Sequence, residues 1–209
     1  MGGRGKFITL EGGEGCGKST IMERLAERLR AAGRAVLTCR EPGGTEIGEQ
    51  IRQVLQYTRY RSVMCGETEL LLFAASRAQL VREVIEPSLA AGRVVLCDRF
   101  MDSTTVYQGA GRGLDAGVVA AINRAAVGSC MPDLTVVIDL DPRIGLERAR
   151  GRDLFDRMEN QALEFYERVR AGYLALAQRE PARVKVVDGA KDLAAVEEEV
   201  WRLVQDVVS

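Results

Sequence analysis

The chain has 209 residues, of which 46% are hydrophobic and 28% charged, with a net charge of −1. That length supports a packed core, the apolar content excludes a disordered chain, and the balanced charge argues against nucleic acid or an anionic membrane as partner. Of the 29 cationic residues 25 are arginine and 4 lysine, and histidine is absent. Catalysis by a Ser-His or Cys-His pair is thereby excluded, so proton transfer falls to carboxylates, the substrate or water.

FITLE (7–11) reads as a buried strand and leads into a glycine-rich loop. An amphipathic helix over 18–32 follows, with Ile21, Leu25 and Leu29 on one face and Gly33 as its stop. AVLTC (35–39) is a second strand, EPGG (41–44) a turn, and Thr45 a cap for a helix through about Gln56. Residues 57–66 show no period and read as a loop, and 67–91 read as a long helix with Pro87 near its end. RVVLCD (93–98) is the third strand, Asp115 caps a helix to about Val127, and LTVVIDL (134–140) is the fourth strand. Pro142 sits in the first turn of the next helix. The charged stretch 150–159 leads into a helix to about Arg179, then a fifth strand (183–188) and a last helix (192–207). Five short apolar strands separated by helices predict an α/β fold, a parallel sheet covered on both faces with right-handed crossovers. There is no repeat or linker, so residues 1–209 read as one domain.

The five cysteines, Cys16, Cys39, Cys65, Cys97 and Cys130, lie far apart without C-x-x-C spacing. They read as free thiols in a reducing, cytoplasmic setting. MGGRGKFITLEGG holds no signal-peptide core, and no stretch approaches the roughly 18 apolar residues of a membrane span.

Gly12-x-x-x-x-Gly17-Lys18-Ser19 fits the P-loop pattern completely, and it joins a strand to a helix as that pattern requires. Glycines let backbone N–H groups of Gly12, Gly13, Glu14, Gly15, Cys16 and Gly17 converge on phosphate oxygens, and the helix start at Lys18, Ser19 and Thr20 adds its positive end. Lys18 is expected on the β- and γ-phosphates and the Ser19 hydroxyl on Mg²⁺. The chain is thus expected to bind ATP or GTP, as a phosphoryl transferase, a GTPase switch or an ATPase. Neither N-K-x-D nor D-x-x-G, the marks of a GTPase, occurs.

Segments leaving the carboxyl ends of parallel strands border the ligand crevice. CREPGGT (39–45) and CDRFMDSTTVYQGAGRG (97–113) are two such segments, so Arg40 and Arg99 should meet near the P-loop. Two arginines there suggest an acceptor that is itself a phosphate. A phosphomonoester, with a second pKa of about 6, needs little general base, which suits a chain without histidine.

EGGEGCGKST, REPGGT, FAASRAQL, DRFMDSTTVYQGAGRG, PDLTVVIDLDP and ERARGRDLFDRMENQALEFYERVRAGYLALA, in that order, resemble the bacterial thymidylate kinases over nearly the whole chain. The resemblance implies a P-loop nucleoside monophosphate kinase fold, a homodimer, and transfer of the ATP γ-phosphoryl to dTMP. It implies Glu14 on the acceptor side, Arg40 and Arg99 on the acceptor phosphate, Phe73 stacked on thymine, Arg77 at the thymine edge, and Ser103 and Thr104 near its N3. Tyr107 would crowd the sugar 2′ position, Gln108 would line the same pocket, and Asp98 would stand near Mg²⁺. A short arginine-rich lid over about 148–158 would close on ATP, with Arg150 and Arg152 supplying charge. Members of the family with glycine rather than a basic residue after the loop acid, here Gly15, rely on such lid arginines. Another P-loop kinase and a regulatory module without turnover are the competing readings; Phe73, Arg77 and Tyr107 distinguish the first, and intact Glu14, Lys18 and Arg99 argue against the second.

Overall fold

The structure is a computed structural model that describes residues 4–57, 64–149 and 161–208. Five strands, β1 (Phe7–Gly12), β2 (Val36–Arg40), β3 (Val94–Asp98), β4 (Leu134–Asp139) and β5 (Val184–Asp188), form one parallel sheet in the order β2-β3-β1-β4-β5. β1 is buried at every position, which is why it reads as a continuous apolar run. Its side chains alternate. Ile8 and Leu10 join Ile21, Leu25 and Leu29 of α1 (Lys18–Ala31) and Val196, Val200 and Val204 of α9 (Leu193–Val208).

Phe7 faces the other way, into a cluster with Val95, Cys97, Leu80 and Ile85. That layer comes from α3 (Gly66–Leu80), a π-helical turn over Val81–Ile85, and α4 (Glu86–Ala90). The expected single helix over 67–91 is therefore interrupted. Pro87 has no N–H and would press on the carbonyl four residues back, and widening the preceding turn relieves this. α2 (Glu46–Tyr57) packs on α3.

No helix was expected over 101–111, yet α5 (Met101–Thr104) runs into a π-helical stretch Thr105–Gly111. Ser, Thr, Val and Gly are weak helix formers, so tertiary bonds decide. Asp102, fully buried, accepts from Thr135 Oγ1 at 2.8 Å and from both Arg183 Nη atoms at 2.6 and 3.0 Å. This segment is then covered by α8 (Leu163–Arg179), whose Phe165, Val169 and Tyr173 meet Val106 and Tyr107. α6 (Ala116–Val127) starts at the expected cap, Asp115, which accepts from Val118 N at 2.9 Å. α7 (Pro142–Ala149) follows β4.

Candidate active site

β1 and β3 are neighbours with Leu10 paired to Asp98. The chain leaves their carboxyl ends in different directions, which opens a crevice between them. A cavity of about 280 Å³ lies there. One wall is Glu14 to Thr20; the opposite wall carries Arg40, Phe73, Asp98, Arg99, Ser103, Thr104, Tyr107 and Gln108. Fifteen predicted positions from four segments thus converge on one space.

The loop wall is built for anions. α1 begins behind Gly17, at φ 93°, with no side-chain cap and no acidic residue in its first turn, so its amide groups and positive end face the cavity. Lys18 is nearly buried, and its Nζ donates to Gly13 O at 2.7 Å and Gly12 O at 3.2 Å. Gly15, at φ 65°, lies against α7: a Cβ there would stand 2.1 Å from Gly145 O. Position 15 has no room for a side chain. Ser19 Oγ donates to Asp98 Oδ2 at 3.0 Å. This pair of hard oxygens fits Mg²⁺, which takes one or two protein oxygens and leaves the rest to phosphate and water. Among the described residues no cluster of three His, Cys, Asp or Glu offers a denser site.

Arg99 is the centre of the opposite wall. It alone among the described non-glycine residues has a positive φ, 68°. Its N–H donates to Leu10 O at 3.0 Å, its carbonyl accepts from Cys97 Sγ at 3.0 Å, and the next amide, Phe100 N, donates to Glu11 Oε1 at 2.8 Å. Strain of this kind persists only where the surroundings over-determine it. The guanidinium donates from Nη2 to Glu14 Oε1 at 2.7 Å and from Nη1 to Gly12 O at 2.9 Å. Tyr107 OH also donates to Glu14 Oε1, at 3.1 Å, and its ring lies 5.0 Å from the Arg99 guanidinium. Burial pushes the Tyr107 phenol well up, so it stays a neutral donor. Burial opposes the Arg99 cation, but the carboxylates of Glu14 and Asp98 outweigh it and hold its pKa well above the ordinary value.

Phe73 is half-buried on α3 and lines the cavity. Arg40 is half exposed and pairs with Glu49 at 2.8 Å. Arg77 is set further back. Only 1% exposed, it donates to Glu41 Oε2 at 2.8 Å, Asn123 Oδ1 at 2.9 Å, Thr104 Oγ1 at 2.9 Å and Phe100 O at 3.2 Å. It backs two residues of the cavity wall, Glu41 and Thr104, rather than forming the wall. Gly12 and Gly13 likewise lie at the rear of the loop, beside β4. Arg150 and Arg152, and the expected lid beyond Ala149, fall outside the described residues.

Five residues absent from the predicted set belong to the site. Glu41, Pro42, Arg52 and Gln56 line the cavity. Burial pushes the Glu41 carboxyl up to about 7 against the pull of Arg77. Glu11, fully buried, accepts from Phe100 N, from Ser103 Oγ at 2.6 Å and from Tyr173 OH at 2.8 Å. Its carboxyl is pushed up by burial and by Asp102. A glutamate inside an otherwise apolar strand was the available signal for Glu11, because a buried charge must have partners.

A P-loop on β1, an arginine-bearing segment on β3 and a helical cover make this a nucleotide-binding phosphotransferase site on the P-loop nucleoside monophosphate kinase fold. Residues 10–200 match the thymidylate kinase family. The chain is 49% identical over 203 residues to the thymidylate kinase of Deinococcus radiodurans, covering 97% of this chain and 98% of that one. It is 51% identical over 204 residues to that of Pseudomonas fluorescens strain Pf-5, covering 98% and 97%. The crystal structure of thymidylate kinase from Ehrlichia chaffeensis superposes with a TM-score of 0.77 at 34% identity, over 97% of this chain and 99% of that one. The chain belongs to the thymidylate kinase family.

Proposed function

We infer that this protein transfers the γ-phosphoryl group of ATP to dTMP, giving dTDP and ADP. Family membership supports the reaction, and one geometric observation supports its arrangement: Glu14 of the donor loop is held by Arg99 and Tyr107 of the acceptor wall. The donor polyphosphate lies on the amides of residues 13–18, with Lys18 turned toward its outer phosphates. Mg²⁺, held by Ser19 and Asp98 when bound, neutralises charge on the donor phosphates. Arg99 and Arg40 orient the acceptor phosphate, whose oxygen is already ionised at neutral pH, so no side chain need remove a proton. Phe73 stacks on the base, Arg77 steadies the wall through Thr104, and Tyr107 borders the sugar. Since Gly15 admits no side chain, the charge on the transferring phosphoryl comes from elsewhere, and Arg150 and Arg152 are the candidates.

The protein works as one domain, in the cytoplasm, and as a homodimer. Exposed Ile47, Leu71 and Val118, on α2, α3 and α6, support a second copy as partner. The reaction is tested by ADP release from Mg·ATP with dTMP, dUMP, UMP, CMP, GMP, AMP and thymidine. A strong preference for dTMP is expected. Turnover of another acceptor alone would refute the roles of Phe73 and Tyr107, and turnover of none would leave a regulatory nucleotide-binding protein.

A further inference from the structure

The amide of Gln108 is held in one orientation. Its Nε2 donates to Glu69 Oε1 at 2.7 Å, and both residues are only 1% exposed. Glu69, on α3, is itself fixed: Arg112 Nε donates to Oε1 at 3.2 Å and Arg112 Nη2 to Oε2 at 3.1 Å. Arg112 Nη1 in turn donates to Gln161 Oε1 at 2.7 Å. A carboxylate that receives a guanidinium on both oxygens meets a further polar neighbour as an acceptor. Facing it, the amide must present nitrogen. The amide is planar, so its Oε1 points to the opposite side, and Gln108 lines the cavity beside Thr104 and Tyr107.

We propose that Glu69 is a specificity-determining positioning residue: it locks the Gln108 amide with its carbonyl toward the acceptor base. A carbonyl there accepts from a pyrimidine that carries a hydrogen on N3, as thymine and uracil do. Cytosine presents a lone pair at N3, and the locked amide cannot turn its NH₂ group to meet it. Without Glu69 the two faces of the amide would be nearly equivalent, and either base could be satisfied. The proposal rests on the reading of a pyrimidine monophosphate as acceptor.

The test is Glu69→Gln, with kcat/KM measured for dTMP and for 5-methyl-dCMP, which share the methyl group and the sugar. A buried hydrogen-bonding site rejects a mismatched partner strongly, so the dTMP preference should fall by ~10-fold or more in the variant, with the KM for ATP unchanged. In a Gln108→Met background the same substitution should leave the ratio alone. A purely structural role would lower both kcat/KM values together, and a ratio within about twofold of wild type overturns the proposal. A fall of equal size in the Gln108→Met background also overturns it. Should Glu69→Gln not fold, Glu69→Asp, whose shorter side chain no longer reaches the Gln108 amide, carries the test: its ratio must fall in the same way, and a retained ratio is refutation. Wild-type protein without dTMP turnover would overturn the acceptor reading and this proposal together, whereas turnover with an unmoved ratio would overturn this proposal alone.

Discussion

Arg99→Ala is the sharpest perturbation of the acceptor wall. It removes three hydrogen bonds, to Glu14 at 2.7 Å, to Gly12 O at 2.9 Å and to Ser103 Oγ at 3.3 Å, and the Arg99–Glu14 pair is only 17% and 19% exposed. A charge-assisted bond in such a setting contributes about 1.5–3 kcal/mol, while Glu14 keeps Tyr107 OH as a donor. Removing a donor aimed at transferring or accepting phosphate costs about 3–4 kcal/mol in the transition state. We therefore expect kcat/KM for dTMP to fall by ~10³ or more, with the Kd for ATP changed less than about threefold, since the loop amides and Lys18 are untouched. Arg99→Lys should recover little of the rate, because one ammonium cannot reproduce the fork that spans Gly12 and Glu14. The backbone supplies an internal control. With φ at 68°, alanine keeps the left-handed strain and glycine releases it, so Arg99→Gly should be more stable than Arg99→Ala by about 1 kcal/mol while equally inactive. Isothermal titration with a non-hydrolysable ATP analogue, steady-state kinetics and urea unfolding measure these quantities. A tenfold loss of ATP affinity with an unchanged KM for dTMP would refute the reasoning and assign Arg99 to the donor.

Phe73→Leu keeps a large apolar side chain on α3 but no aromatic face, and the KM for dTMP should rise about tenfold, the equivalent of one lost stack, with the KM for ATP unmoved. Gly15→Ala must place a Cβ 2.1 Å from Gly145 O at φ 65°, so thermal unfolding should register a loss of about 1–3 kcal/mol and ATP binding should weaken with it. Arg150→Ala or Arg152→Ala should lower kcat by ~10³ while sparing both substrate KM values, if either arginine serves the transferring phosphoryl. Glu41, raised by burial from 4.5 to about 7, binds a proton on folding between those values. The folded state is thus favoured by acid, and its stability should fall by about 3 kcal/mol as pH rises through that window and level off above it. Urea unfolding of wild type against Glu41→Gln at pH 5 and pH 7.5 checks this: the variant should lose that part of the slope.

The sheet and the phosphate loop were legible because their signals are local. A P-loop is eight residues at fixed spacing, and β1, β3 and β4 are apolar runs that no helix period fits. Arg40, Arg99, Phe73 and Tyr107 were reached because each lies within a few residues of a strand end or inside a segment that resembles the family's. What could not be read is pairing across long separations. Glu11 meets Tyr173 across 162 residues, and nothing near either one announces the other. The helix over 101–111 failed for the same reason: its propensities are poor, and the bonds of Asp102 to Thr135 and Arg183 that hold it lie 33 and 81 residues away. Arg77 was expected at a base edge. Its burial behind Glu41 and Thr104 depends on Asn123, 46 residues on.

A carboxylate inside a phosphate-binding loop is at first an electrostatic contradiction, since Glu14 repels what the loop amides attract. The structure resolves it by giving Glu14 two donors from the other wall, Arg99 Nη2 and Tyr107 OH on the same oxygen. Its charge is thereby engaged by Arg99 across the crevice. The same contact ties the end of β1 to the end of β3, and Glu11 repeats the tie one turn deeper through Phe100 N, Ser103 and Tyr173. Two carboxylates, one exposed to the cavity and one beneath it, thus keep a strained arginine in a single pose. That arrangement suits in-line transfer between two anions, where orientation rather than proton movement sets the barrier, and it accounts for a site that manages without histidine.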